Sequence, residues 1–135
     1  MRVRILASTV LVLAIGGFLA CSDSTAPDST TYIATLTGAN ERPNPVTTSA
    51  SGTATYVLRG NELSYTVTVT GLSSNVTGSH IHVGASTVAG PIVVGFTADA
   101  VQNGVVTSGT LDLTKAVASG ANTISGDSLR VLLEN

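Results

Sequence analysis

The chain has 135 residues, 43% of them hydrophobic, with 14 glycines, one cysteine and a formal net charge of −2. That length holds one modest domain with a single core and leaves no room for a second. Six basic against eight acidic side chains make no basic patch, which argues against nucleic acid and anionic lipid headgroups as charge-driven partners, and a lone cysteine excludes an intramolecular disulfide.

Residues 1–20 read as a secretion signal. Arg2 and Arg4 give a positive start, and the run 5–19 is apolar apart from Ser8 and Thr9. It is too short for a comfortable span of roughly 20 apolar residues. The run ends in Leu19-Ala20-Cys21, which resembles the lipobox of bacterial lipoproteins. The resemblance implies cleavage before Cys21, diacylglycerol on its sulfur and an acyl chain such as palmitate on the new amino terminus. Two or more chains make a stable lipid anchor where one does not. Ser22, in place of aspartate, implies the outer membrane of the cell envelope, on its periplasmic or its surface face. The alternative is an ordinary signal peptide with an incidental cysteine. Cleavage removes two basic residues and no acidic one, leaving a balance of −4.

From Cys21 the polar stretch to residue 31 reads as a flexible tether. Residues 32–135 then read as one all-β domain, rich in Thr, Val, Ser and Gly with turn signals at short intervals. Strands are expected at 32–37, 52–59, 62–70, 79–83, 91–96 and 105–113, which most simply form an antiparallel β-sandwich. Residues 40–48, with Pro43 and Pro45, read as an extended loop. The best-specified piece is the hairpin about Gly60-Asn61, a dipeptide that tolerates the positive φ of a tight turn. With Arg59 facing Glu62, the register sets Leu58 against Leu63, Tyr56 against Tyr65 and Ala54 against Val67 on one face. Thr55–Thr66 and Thr53–Thr68 fall on the other, so the turn alone separates core from solvent. Near the end, Asp127 is expected to cap a helix over 128–133 with Leu129, Leu132 and Leu133 on one face.

Several segments together resemble the CHRD domain, the module repeated in chordin and found singly in bacterial secreted proteins and lipoproteins. They are Leu36-Thr37-Gly38-Ala39-Asn40-Glu41 with Pro43, then Gly52-Thr53-Ala54, Leu63-Ser64-Tyr65-Thr66-Val67, Gly71-Leu72, His80-Ile81-His82, Gly90-Pro91-Ile92-Val93-Val94 and Gly109-Thr110-Leu111. The resemblance runs from about Tyr32 to the end and implies an extracellular β module. After a segment like Asp127-Ser128-Leu129, family members continue into a further strand and a closing stretch. The sequence given stops at Asn135, so it is expected to be a truncated product or to lack those strands, with an uncovered sheet edge and self-association as the consequence.

His80 and His82 are the chain's two histidines. In a strand they share one face while Ile81 and Val83 take the other. Two imidazoles at this spacing can hold one Cu or Zn ion, but a closed site needs three or four ligands, which leaves carboxylates such as Asp99 or Asp112, or water. The structural reading sets the pair at a strand end, bonded to loop backbone in 84–90 and fixing its path. Ser79 beside His80 is adjacency in sequence, not a nucleophile and its base. Glu41 and Glu62 read as loop and hairpin surface, and the three tyrosines as packing. No catalytic residues are assigned and no enzyme is expected. The sequence thus points to a membrane-anchored binding or scaffold module for a protein or other envelope ligand, without a required cofactor. A metal-binding or redox protein centred on His80 and His82 is the alternative.

Overall fold

A computed structural model describes residues 28–119 and 122–134. The signal segment, Cys21 and the tether up to residue 27 lie outside the described residues. Among the described residues eight strands, a 3-10 turn and a helix follow in order: β1 Ser29–Thr37, the turn Gly38–Asn40, β2 Ser51–Arg59, β3 Glu62–Thr70, β4 Ser79–His82, β5 Ile92–Phe96, β6 Gly104–Asp112, β7 Ala116–Ser119, β8 Asn122–Ser125 and α1 Gly126–Glu134. β1 opens three residues before the expected strand, so Ser29, Thr30 and Thr31 belong to the sheet rather than to the tether. Their hydroxyls suit a solvent-facing strand as well as a linker, and pairing with β2 decides between them.

The main sheet runs β1-β2-β3-β6, antiparallel throughout, and β4-β5 and β7-β8 form two further antiparallel pairs. The hairpin register is the expected one, with Leu58 against Leu63, Tyr56 against Tyr65 and Ala54 against Val67. Within the two-residue turn, positive φ is confined to Gly60 (+56°), the first central residue, which is the type II′ pattern. Asn61 needs no such freedom and instead offers its Oδ1 to Arg130 at 2.9 Å, while Gly60 O accepts from the same guanidinium at 2.7 Å.

The core follows from that register. Ala54, Tyr56, Leu58, Leu63 and Val67 present the inner face of the hairpin to Val94 of β5, Val117 of β7 and Leu129 of α1, with Val106 and Leu113 alongside. Tyr65 completes this face against Phe96, their ring centroids 4.4 Å apart and tilted by 37°. The architecture is an antiparallel β-sandwich, with the main sheet as one layer and the two small pairs with α1 as the other.

β7 and β8 have no counterpart among the expected strands. They are four residues each, and residues 116–119 read Ala-Val-Ala-Ser, too short and too small to show alternation. The helix was expected, but its cap is Ser125 rather than Asp127: Ser128 N donates to Ser125 Oγ at 3.1 Å, and Asp127 lies inside the first turn. Leu129 is fully buried and Leu133 half-buried, whereas Leu132 is exposed and does not share their face. The i, i+4 pair carries the packing. Among the described residues no helix is long and apolar enough to cross a membrane.

Candidate functional site

The two layers do not close along their whole length. At the end of the main sheet away from the Gly60-Asn61 turn, a cleft of about 510 Å³ opens between Leu36, Val67, Val69 and Val106 on one side and Leu72, Val76 and β4 on the other. A smaller recess of about 220 Å³ shares Leu36, Val67, Ser79 and His80 with it and runs on to Tyr56 and Leu133. Burial pushes the Tyr56 phenol above its ordinary pKa of 10.0. The floor of the cleft is aliphatic, and its polar groups are few: Glu41, Ser79, the two imidazoles and nearby hydroxyls. A mostly apolar concavity with a small set of polar groups at the rim is the common form of a small-molecule site.

The walls are held by loops the sequence reads only as turns. Gly38 O accepts from Val46 N at 2.8 Å and Glu41 N at 3.2 Å, folding the loop 41–50 back over the end of β1. Arg42 then reaches across it, its Nε donating to Ser86 O at 2.8 Å and its Nη1 to Ala39 O and Glu41 O at 3.1 and 2.9 Å. Two loops far apart in sequence are thereby tied together beside the cleft.

β4 places the histidines. Its burial alternates, with His80 and His82 exposed and Ile81 half-buried against the core, and a register shift follows Ile81, so His82 pairs with Ile92. His82 Nδ1 lies 3.1 Å from Gly90 O. A carbonyl only accepts, so this nitrogen carries the proton and Nε2 is the acceptor of the neutral ring. The His80 ring stands over Gly78, where an added Cβ would lie 2.9 Å from Cε1. The rings meet edge to face with centroids 6.0 Å apart.

Among the described residues no third ligand joins them. Asp112 lies opposite Glu62 at the turn end of the sheet, the other end from the cleft. Its Oδ1 accepts from Thr114 Oγ1 at 2.6 Å and Thr114 N at 3.0 Å, and Lys115 Nζ lies 3.0 Å from Oδ2. The Thr114 hydroxyl, then Lys115, hold this carboxyl down at about 2. Asp99 is committed through its backbone, its N donating to Val106 O at 2.7 Å. Among the described residues no group of three or more His, Cys, Asp and Glu can hold a metal ion, and nothing in this geometry favours the Cu or Zn alternative. Glu41 is the residue sequence reasoning passed over. It reads as loop surface and stands at the cleft rim, and nothing in its neighbours' spacing signals that.

The fold and its cleft define a small antiparallel β module with one concave face. The CHRD domain matches residues 32–134, and the chain belongs to the CHRD family. No curated protein and no solved structure matches it.

Proposed function

We propose that this CHRD chain is a non-catalytic binding module, held at the outer membrane of a bacterial cell envelope, on its periplasmic or its surface face, by acylated Cys21, whose ligand enters the cleft between its two layers. The observation that carries the binding role is the cleft itself, about 510 Å³ with an aliphatic floor and with Glu41 and two imidazoles at its rim. That mixture suits a small molecule with an apolar body and a hydrogen-bonding or cationic head set against Glu41. The non-catalytic reading is supported by the histidines' surroundings: His82 Nδ1 bonds the Gly90 carbonyl and ties β4 to the loop before β5, and among the described residues neither imidazole is hydrogen-bonded to a hydroxyl it could activate. The anchor is supported by Arg2, Arg4 and the Leu19-Ala20-Cys21 junction.

Amide NMR spectra of residues 22–135, titrated with a set of small amphiphilic amines and their neutral analogues, test the binding role. Shifts are expected to cluster at Leu36, Val69, Val76 and His80, to favour the amines, and to lose that preference in Glu41→Gln. Shifts scattered over the surface, or clustered at the Gly60-Asn61 end, reject the cleft. The anchor has its own test. A Cys21→Ser chain is expected to leave the membrane fraction for the soluble one, and continued membrane fractionation sinks the lipid-anchor claim.

A further inference from the structure

We infer that β1 is a docking edge for a second copy of this chain, pairing antiparallel with its own counterpart so that the main sheet continues from one molecule into the next. The inference stands on the backbone of β1 and is independent of what the cleft binds.

A sheet edge presents unpaired N–H and C=O groups, and proteins blunt such edges with short strands, charges, proline, bulges or a covering segment. The other edge of the main sheet is blunted in several of these ways. β6 carries a register shift opposite Val67 and Thr68, ends in Asp112, and has Val106 O covered by Asp99 N at 2.7 Å. The small β4 edge is four residues long with a register shift of its own. β1 is covered only at its Thr37 end, by the loop 41–50, and has none of the other devices. It is nine residues, STTYIATLT, without charge, proline or register shift, in unbroken pairing with β2 on its other side.

The ladder fixes which groups face outward. A two-residue turn makes Arg59 and Glu62 a doubly bonded pair, and bonded and non-bonded positions alternate along antiparallel strands. The even-numbered residues of β2 therefore turn their polar groups to β1, and the odd-numbered residues of β1 turn theirs to solvent. Thr35 O confirms the sense: Asn40 Nδ2 donates to it at 3.3 Å, from outside the sheet. Among the described residues that long bond is the single side-chain contact on this outer edge.

The occupant follows from self-complementarity. Set antiparallel about Ile33, two copies of β1 bring Ile33 against Ile33, Thr31 against Thr35 and Ser29 against Thr37. All are outward-bonding positions, so the pairing can form on the order of ten backbone hydrogen bonds. No like charges meet, and threonine pairs are favourable cross-strand neighbours. Ile33 is 68% exposed, the most exposed large hydrophobic side chain among the described residues, and this register covers it with its own copy. On the inner face Tyr32 meets Ala34 and Leu36 meets Thr30, large against small.

Sedimentation equilibrium of residues 22–135, which hold every element of the fold, tests this across a wide concentration range. The weight-average mass is expected to rise toward that of a dimer. Ile33→Pro removes an outward N–H that the β2 ladder does not use, and Ile33→Lys sets like charges opposite each other. Each is expected to weaken association about tenfold or more while unfolding stays cooperative. Oxidation of an Ile33→Cys variant is expected to give a disulfide dimer, because paired positions lie within bonding reach. A Ser29→Cys variant, distant from its own copy in this register, is expected to stay uncrosslinked. A monomer at all concentrations, association unchanged in both Ile33 variants, or crosslinking at position 29 instead of 33 overturns the inference.

Discussion

Leu63→Ala is expected to lower the unfolding free energy by about 3 to 4 kcal/mol, the middle of the range for truncating a buried leucine. The size follows from where Leu63 sits. It is fully buried, it lies between Leu58 of β2 and Leu111 of β6 in the middle of the main sheet, and it belongs to the same core as Leu129. Its neighbours are strand residues held by ladders on both sides, so the cavity cannot collapse as it would beneath a loop. A domain of this size has about 5 to 15 kcal/mol in total, so the variant should fold but melt roughly 10 to 25 °C lower. Thermal unfolding followed by circular dichroism reads this directly. A loss under about 1 kcal/mol would mean that the two layers are not packed over Leu63.

The second large effect is expected at Gly126, where two principles oppose each other. Gly126 opens α1, and replacing a helical glycine with alanine ordinarily stabilises by about 1 kcal/mol. Here an added Cβ would strike the O, C and Cα of Leu113, all backbone and none able to swing aside. Leu113 is anchored in turn, its N donating to Asn61 O at 2.8 Å and its side chain buried in the core. Crowding of this kind costs about 1 to 3 kcal/mol or more, so the clash outweighs the propensity. Gly126→Ala is expected to destabilise by at least about 2 kcal/mol in a urea titration. A stabilised variant would place α1 further from the β6–β7 connection than it stands here.

The sequence discloses different parts of the structure unequally. The β2–β3 hairpin was legible to the residue, because a two-residue turn and strict alternation over both strands allow one register only. β7 and β8 were not, since Ala, Ser and Thr in four-residue strands show no period and their pairing rests on contacts with β5 and the core. The helix cap read as Asp127; Ser125 is an equally good capping residue by type, and only the hydrogen bond from Ser128 N shows that it holds the position. Of the candidate site, His80 and His82 stood out by type and spacing. The cleft around them is assembled from Leu36, Glu41, Ala50, Val76 and Val106, drawn from five separate stretches, and no local pattern announces that these meet.

The Arg130 clasp on the Gly60-Asn61 turn joins positions 70 and 69 residues apart, and β3 likewise awaits β6 across the intervening chain. Contacts of such range cannot begin to form until the later segment has left the machinery that delivers it. Synthesised amino end first, the early hairpin therefore stands without the strand and the helix that seal it while the intervening residues are made. The topology makes completion of the fold wait on Arg130, so the order of synthesis doubles as a timer.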